Sequence, residues 1–294
     1  MEISELAELA TQFFDKNDFR EHAVVSPLPG LTLLKSTKKT ELDASVYDPV
    51  ICLILQGEKE TIAGDKSVKF GAGESLIVSH SLPVLSRITK ATPSTPYLAM
   101  ILTIDLGILR GLYHDLEEMP RDFRRAKVMT AEKTGEEIIT ALARYLALSR
   151  RRTEIKVMAP LLLKEIHFRL LMAPPATMLR KLMGRETYAS QIATAINHLR
   201  ANFKRPLSVT EMAKTIGMSE SAFFEHFKKV TETTPLQYQK EMRLIEARRL
   251  LRQERLTVSS AAFEVGYESP TQFSREYSRK FGCPPRDELK YHQP

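Results

Sequence analysis

Between Ser45 and about Thr103 the chain consists of short hydrophobic, β-branched runs separated by polar turn sequences. The turn sequences include Gly64-Asp65, Gly71-Ala72-Gly73 and the proline-bearing stretch ATPSTP. This pattern predicts several short antiparallel strands, as in a small β-barrel or sandwich. One run, VICLIL, does not alternate, so the pattern does not say which of its residues face the interior. The predicted strands are VICLILQG, ETIAG, SVKFGAG, ESLIVSH, VLSRIT and YLAMILTI.

After Asp105 the hydrophobic residues recur every three or four positions, which is the period of a helix. Two consecutive helices are predicted, EEIITALARYLALS and IKVMAPLLLKEIHFRLL. This helical hairpin must bury its apolar faces against the β-rich part or against a second subunit, and we expect a homodimer. The apolar faces carry Ile138, Leu142, Tyr145 and Leu148 in the first helix and Met158, Leu162, Ile166 and Leu170 in the second.

Paired prolines and a glycine in residues 173–188, APPATMLRKLMGRETY, predict a linker between two domains. Every segment after this linker has the helical period, beginning with Ile192, Ile196 and Leu199. The expected fold class is therefore α+β. Residues 1–172 are expected to form a β-barrel with a helical hairpin, and residues 189–294 an all-helical domain.

The helical domain contains one pattern twice, in units of about 207–230 and 256–281. A single long helix, TPLQYQKEMRLIEARRLL, is predicted between the two units. The first copy comprises Leu207-Ser208-Val209, Ala213, Gly217, Phe223, Phe227 and Pro235. The second copy comprises Leu256-Thr257-Val258, Ala262, Gly266, Phe273, Tyr277 and Pro285.

Each repeated position has a physical role in a helix-turn-helix. The small alanine lets two helices cross closely, and the glycine supplies the positive φ at the end of the first helix. Ser219 and Ser269 can cap the second helix. The aromatic pair at i and i+4 anchors that helix to the core, so its other face points outward. A rigid spacer between two such helices suits entry into successive major grooves, about 34 Å apart along the duplex.

The charge distribution favours a polyanionic partner. The net charge is +7 and the sequence pI is about 9.3. Residues 191–294 contain 17 Lys and Arg but only 12 Asp and Glu, so most of the positive surplus lies in the helical domain. A basic domain is what binding to a nucleic acid requires.

Composition argues against secreted and membrane classes. The N-terminus MEISELAELATQFF lacks the basic start and apolar core of a secretory signal, and the longest apolar run, PVICLIL, is too short to span a bilayer. Two cysteines, Cys52 and Cys283, cannot form a disulfide framework or a cysteine-rich metal site. We therefore expect a cytoplasmic protein.

The β-rich part does not resemble a catalytic centre. Its strands contain a single histidine, His80, whereas a metal site needs at least three convergent ligands. The stretch FGAGES lacks a third glycine and a following helix, so it is a turn between strands rather than a phosphate cradle. We expect no metal, no cofactor and no enzymatic activity. The interior of the barrel is then left for a small effector whose contacts the sequence does not identify.

The C-terminal part resembles the double helix-turn-helix domain of AraC/XylS-type transcription regulators. That resemblance rests on LSVTEMAKTIGMSESAFFEHFKK, TTPLQYQKEMRLIEARRLL and VGYESPTQFSREYSRKFGCPP. The N-terminal part resembles an N-terminal domain type of the same family through YDPVICLILQGEK, AGESLIVSHSLPV, TPYLAMILTIDL and APLLLKEIHFRLL. One departure is Glu232, where the family usually has glycine; the second unit keeps Gly282.

The resemblance implies a bacterial transcription regulator. Residues 1–172 are expected to be a cupin-like effector-sensing and dimerisation domain, and residues 189–294 the DNA-binding domain. Double-stranded DNA is the expected partner, with RNA polymerase as a further candidate.

Ten residues of the two recognition helices are predicted to contact DNA. Arg275 is the strongest candidate, because arginine can pair bidentately with guanine. Three of the ten, Thr271, Ser274 and Arg275, match positions that contact bases in the family. The predicted base-reading residues are Ser221, Phe224, Glu225, Thr271, Ser274 and Arg275. The predicted phosphate-binding residues are Lys228, Lys229, Arg279 and Lys280. Arg243, on the spacer helix, is assigned a structural ion pair instead.

Two other functions stay open at this stage. A metal-free cupin-type enzyme with an appended helical domain would reveal itself by turnover of small carbonyl compounds. A ligand-independent nucleic-acid binder would give no protected site in footprinting at physiological salt.

Overall fold

The computed structural model describes residues 2–16, 22–26, 28–116, 129–184 and 187–290. The chain divides into two compact units: Met1–Asp43 with Tyr47–Ser190, and Ala44–Val46 with Gln191–Pro294. The first contains antiparallel sheets and helices, and the described part of residues 191–294 contains helices. The predicted α+β class, with a sheet domain followed by a helical domain, is therefore confirmed.

Ten strands are described in the N-terminal part, and they form two sheets. In chain order they are β1 (His22–Val25), β2 (Leu31–Ser36), β3 (Asp43–Tyr47), β4 (Val50–Gln56), β5 (Glu58–Ala63), β6 (Lys66–Gly71), β7 (Glu74–Val78), β8 (Leu82–Lys90), β9 (Tyr97–Thr103) and β10 (Met129–Lys133). The six-stranded sheet has the order β1-β2-β9-β4-β7-β10, and the four-stranded sheet has the order β3-β8-β5-β6.

The predicted closed barrel differs from the observed arrangement. The described strands form two separate sheets rather than one continuous sheet that closes on itself. The six predicted runs correspond to β4 to β9, whereas β1, β2, β3 and β10 were not predicted. Three of them, β1, β2 and β10, lie outside the segment from Ser45 to Thr103 in which the turn signals recur, and β3 only reaches into it.

The two sheets enclose one hydrophobic core, to which Val50, Cys52 and Ile54 of β4 contribute. The alternate residues of β4 are also buried, because helix α1 (Ile3–Lys16) packs against this central strand. A strand covered on both faces has no need to alternate. This double burial explains the uninterrupted hydrophobic run VICLIL.

Four further helices are described in the first unit: α2 (Leu106–Asp115), α3 (Glu136–Leu148), α4 (Arg152–Met172) and α5 (Thr177–Met183). The predicted hairpin is present, since α3 and α4 pack against each other. Two ion pairs cross this contact, Arg144 with Glu165 and Arg169 with Glu137. All the predicted apolar positions of the hairpin are buried except Met158, which is half-buried.

The segment predicted to be a linker contains regular structure. Pro174–Ala176 form a 3-10 helix, and α5 follows directly. Leu179 and Leu182 of α5 are buried, and Arg180 donates hydrogen bonds to the carbonyl oxygens of Leu171 and Ala173. The paired prolines thus begin a short helical segment here instead of marking a loop. Proline favours the first turn of a helix as well as loops.

Six helices follow in the second unit: α6 (Tyr188–Asn202, which begins within the first unit), α7 (Val209–Thr215), α8 (Glu220–Thr231), α9 (Pro235–Gln253), α10 (Val258–Glu264) and α11 (Pro270–Phe281). A 3-10 helix, Pro285–Lys290, comes last. Among the described helices of both units, none is long and apolar enough to cross a membrane.

Candidate nucleic-acid interface

The first helix-turn-helix consists of α7 and α8. Ser208 caps α7 by accepting a hydrogen bond from the Glu211 amide. Gly217 then adopts a φ of +70°, a conformation that glycine takes without a Cβ clash. Ser219 caps α8 by accepting from the Ala222 amide. The predicted glycine turn and the predicted serine cap are both confirmed.

The second helix-turn-helix, α10 and α11, repeats these features. Thr257 caps α10, and Gly266 has a φ of +90°. Ser269 caps α11 by accepting from the Gln272 amide, and Pro270 occupies the first turn. The second glycine is more closely surrounded than the first. A Cβ placed on it would lie 2.0 Å from the carbonyl oxygen of Lys204, whereas a Cβ on Gly217 would meet nothing within 4 Å.

Aromatic pairs anchor both recognition helices. The rings of Phe223 and Phe227 are fully buried and their centroids are 5.4 Å apart. Phe273 and Tyr277, the corresponding pair in α11, are also fully buried at 5.4 Å. As predicted, the aromatic face of each helix points inward, so the opposite face is directed to solvent.

Helix α9 connects the two helix-turn-helix motifs as one continuous helix of 19 residues. Thr234 caps it, and Pro235 stands in its first turn. Arg243 of α9 donates hydrogen bonds to the carbonyl oxygens of Phe203, Lys204 and Arg205, rather than forming the ion pair expected from sequence. These bonds tie the middle of α9 to the segment that follows α6.

The solvent face of α8 carries the residues predicted for it. Ser221, Phe224, Glu225, Lys228 and Lys229 are all exposed, Phe224 to 41%. The Lys229 ammonium pairs with the Glu225 carboxylate one turn before it. Hydrogen bonding to Lys229 lowers the pKa of Glu225, so this carboxylate is ionised at neutral pH. DNA must therefore compete with an existing ion pair for both groups.

The solvent face of α11 brings its three predicted base-reading residues together. Thr271, Ser274 and Arg275 line one open depression of about 560 Å³, together with Pro270, Ser278 and residues 258 and 259 at the start of α10. Thr271 and Arg275 are exposed, and Ser274 is half-buried. This face places one guanidinium beside two hydroxyl groups.

The two predicted phosphate ligands of α11 differ in their surroundings. Arg279 is exposed. Lys280 is largely covered, with 16% of its side chain exposed, and its ammonium lies 3.6 Å from the Glu241 carboxylate of α9. The sequence spacing placed Lys280 near the outward face, but the fold directs it toward α9.

The backbone conformation of Glu232 and the role of Glu288 were not predicted from sequence. Glu232, the residue that replaces the usual glycine, takes the left-handed conformation itself, with a φ of 62°. Glu288 is buried and accepts hydrogen bonds from Arg248 and Arg252 of α9 and from the Tyr277 hydroxyl.

Burial acts to raise the pKa of Glu288, but the hydrogen bonds and charges of Arg252 and Arg248 outweigh burial and hold this pKa below its ordinary value. The ionised Glu288 thus fastens the segment after α11 to α9. The i, i+4 spacing of two arginines on α9 was the available sequence signal, since such a pair can share one carboxylate.

The N-terminal unit shows no metal centre in its described part. Over the described ranges of the chain, no three His, Cys, Asp or Glu side chains converge as metal ligands do. Cys52 is buried in the core of the sheets and Cys283 is half-buried in the helical unit, and both are free thiols.

Comparison with known proteins agrees with this geometry. Residues 27–178, more than half of the chain, match the family described as "AraC-type transcriptional regulator N-terminus". The chain belongs to the AraC-type transcriptional regulators. Residues 212–290 match the family described as "Helix-turn-helix domain". This range begins within α7 and covers the rest of both helix-turn-helix motifs to the end of α11.

An individual relative of this AraC-type chain matches about a third of it. The HTH-type transcriptional regulator GbdR of Pseudomonas aeruginosa is 34% identical over 90 residues, which are 31% of this chain and 24% of GbdR. The chain thus covers about a quarter of that relative's length.

Solved structures of ToxT from Vibrio cholerae share the fold over most of this chain. The structure of an apo ToxT variant aligns with a TM-score of 0.53 at 13% identity and covers 93% of this chain and 100% of ToxT. A structure of wild-type ToxT bound to an unsaturated fatty acid aligns with a TM-score of 0.52 at 10% identity, covering 92% and 97%. At this identity the likeness concerns the fold.

Proposed function

We propose that this AraC-type chain is a sequence-specific DNA-binding transcription regulator controlled by a small-molecule effector. The observation that carries the proposal is the pair of capped helices α8 and α11, each anchored by buried aromatic rings on one face and exposed on the other. A helix held in this way can enter a major groove without disturbing its own core. Because α9 joins the two helices rigidly, we assign them to successive major-groove segments of one site.

The roles of the exposed residues follow from their chemistry. We assign base contacts to Ser221, Phe224 and Glu225 of α8 and to Thr271, Ser274 and Arg275 of α11. Lys228, Lys229, Arg279 and Lys280 are assigned to phosphates, which give affinity without sequence choice. Among the four, Lys280 must first leave Glu241, so we expect it to contribute least.

The N-terminal domain is proposed to sense the effector. We assign sensing and dimerisation to residues 1–172, connection to residues 173–188 and DNA binding to residues 189–294. The space between the two sheets is the proposed effector site, and the fatty acid bound to ToxT, which shares the fold, supports an effector of low molecular mass. An effector regulates only if it binds two arrangements of the protein with different affinities. The chain then acts by binding rather than by catalysis, in the cytoplasm, with RNA polymerase as a candidate partner.

We further propose that the regulator is a homodimer formed through α4. Val157 and Leu161 lie one turn apart on this helix and are 67% and 58% exposed. Exposed branched side chains at this spacing form an apolar patch, which α4 of a second copy can cover.

Selection of bound DNA followed by footprinting tests the proposal. Fragments bound by the purified full-length protein are sequenced, and one fragment is footprinted at physiological salt. We expect a defined site with two protected major-groove segments about one helical turn apart. Binding without any protected site would overturn sequence specificity and favour the ligand-independent binder. Turnover of small carbonyl compounds by the same preparation would favour the enzyme.

A further inference from the structure

A charged side chain lies inside the space between the two sheets. Lys59 of β5 is 8% exposed, and Thr61, two residues further along the strand, is fully buried. In a strand, alternate residues share a face, so Lys59 and Thr61 point to the same side as Ala63, which belongs to the core between the sheets. The neighbouring Glu60 points to the other side, where Arg87 binds its carboxylate.

Lys59 has no carboxylate to neutralise it. Among the described residues, no Asp or Glu oxygen lies within 4.0 Å of its ammonium, whereas Lys240, Arg248 and Lys280, which are also largely covered, each have such a partner. The ring of Tyr47 of β3 lies beside it, with its centroid 5.3 Å from the Lys59 nitrogen. Burial acts to lower the pKa of Lys59, but Tyr47 and Cys52 outweigh burial and raise this pKa, so the ammonium is charged at neutral pH. A charge in an apolar interior without a carboxylate partner requires a reason.

Three buried hydroxyl groups lie in the same core region as this charge. The side-chain oxygens of Tyr47, Thr61 and Tyr97 form no well-aligned hydrogen bond with a described residue, although the Tyr47 hydroxyl lies near the Lys59 ammonium and that of Tyr97 near the Cys52 thiol. Native proteins satisfy nearly all buried polar groups, so three unsatisfied hydroxyl groups in one interior region indicate that a molecule belongs there.

The thiol and hydroxyl groups around Lys59 can donate hydrogen bonds but carry no negative charge. Burial raises the pKa of the Cys52 thiol and raises that of the Tyr97 hydroxyl well above its ordinary value. Both groups are therefore protonated at neutral pH. The region thus offers one positive charge and several donors, which is the complement of an anion.

We propose that Lys59, with the hydroxyl groups of Tyr47, Thr61 and Tyr97, binds the carboxylate of an organic acid between the two sheets. The inference deepens the proposed effector control by naming the class of effector and the residues that recognise it. A water molecule can satisfy the hydroxyl groups but leaves the charge unpaired, whereas a carboxylate satisfies both. The apolar side chains nearby, including Phe70 and Ile88 opposite Lys59 in the sheet, suit an apolar body on the acid.

Calorimetric titration of the full-length protein with two acids and their amides tests this inference. The probes are benzoate and octanoate, with benzamide and octanamide as uncharged counterparts of the same shape. We expect at least one acid to bind and its amide to bind about tenfold more weakly or worse. Equal binding of acid and amide overturns the inference, as does the absence of binding by both acids at millimolar concentration.

Substitution of Lys59 by methionine provides the second arm. We expect Lys59→Met to weaken acid binding by about tenfold or more, because the charge is lost while the length and apolar stem are kept. Circular dichroism confirms that the variant is folded. The control is Lys69→Met on β6, an exposed lysine on the opposite face. Unchanged acid binding by Lys59→Met would show that Lys59 does not recognise the acid.

Footprinting separates this inference from the proposed function. If no acid binds while the protein still protects a defined DNA site, the anion site is wrong and the DNA-binding proposal stands. If an acid binds through Lys59 but DNA protection is the same with and without it, the anion site stands and its control of DNA binding is wrong.

Discussion

At the scale of single residues, Arg275 is the residue most strongly predicted to contact a DNA base. Its guanidinium is exposed on α11 and lines the same depression as Thr271 and Ser274. We expect Arg275→Ala to weaken binding to the selected site by about 1–3 kcal/mol and to relax specificity at one base pair. Affinities measured on the site and on its single-base variants check this, with circular dichroism to confirm the fold.

Arg279→Ala is the matched control for that measurement. Because Arg279 is assigned to a phosphate, its replacement by alanine is expected to lower affinity equally for all sequences and to reduce the salt slope by about 1. If Arg275→Ala behaves in the same uniform way, α11 does not read bases through Arg275.

Glu232 gives a prediction about stability. It holds the left-handed conformation at the end of α8 that Gly282 holds at the end of α11. A side chain in this conformation costs about 1–2 kcal/mol, of which glycine returns part through its larger unfolded-state entropy. We expect Glu232→Gly to raise the free energy of unfolding by about 0.5–1 kcal/mol, measured by urea denaturation. A decrease would show that interactions of the Glu232 side chain outweigh the strain.

At the scale of elements, the two turn glycines are equivalent in sequence but unequal in the fold. We expect Gly217→Ala to cost about 1–2 kcal/mol, because only its positive φ opposes a side chain. Gly266→Ala should cost about 3 kcal/mol or more, because its Cβ also collides with the Lys204 carbonyl. Urea denaturation of both variants compares them directly. Equal losses would mean that the Lys204 segment moves aside at little cost.

His167 makes the contact between α2 and α4 sensitive to pH. Its Nε2 accepts a hydrogen bond from the Asp105 amide at 2.7 Å, and its Nδ1 donates to the Leu163 carbonyl at 2.7 Å, so the ring is neutral. Burial lowers the pKa of His167, although the Leu163 carbonyl and the Asp105 charge oppose this shift. The unfolded chain therefore takes up a proton before the folded protein does.

The stability that His167 provides is complete above its unfolded pKa, about 6.5, and is lost as pH falls below that value toward the folded pKa. We expect the free energy of unfolding to decrease over this window in wild type and to decrease less in His167→Gln. Circular dichroism during urea unfolding at several pH values checks this. Parallel pH profiles for the two proteins would contradict it.

At the scale of the whole molecule, the apolar patch on α4 predicts the oligomeric state. We expect wild type to have twice the chain mass of 33.4 kDa in light scattering. The double variant Val157→Glu, Leu161→Glu should be monomeric, because two charges per chain would have to be buried. Phe263→Glu, which replaces an apolar side chain of the same 58% exposure in the other unit, should stay dimeric. A dimeric double variant would place the interface elsewhere.

The fold was predictable where local signals were strong. The two glycine turns, their serine caps and the inward aromatic pairs repeat at fixed spacing, and each acts through contacts within a few residues. The closed barrel was not observed, because strand pairing depends on contacts between distant segments that periodicity does not report. Lys280 was directed toward Glu241 for a similar reason, since the position of α9 decides which edge of α11 is covered.

The sequence by itself determined the helix-turn-helix pair, the spacer helix, the basic helical domain and the family, because these depend on local periodicity and on motifs. Only the tertiary structure decided that a side chain at Gly266 would collide with Lys204, whereas one at Gly217 would meet open space. It also decided that Lys59, one of several charged residues in a strand, lies buried on the core side of β5, where no described carboxylate pairs with it. Such facts arise from what lies opposite a residue in space, and the residues opposite come from segments far apart in the chain.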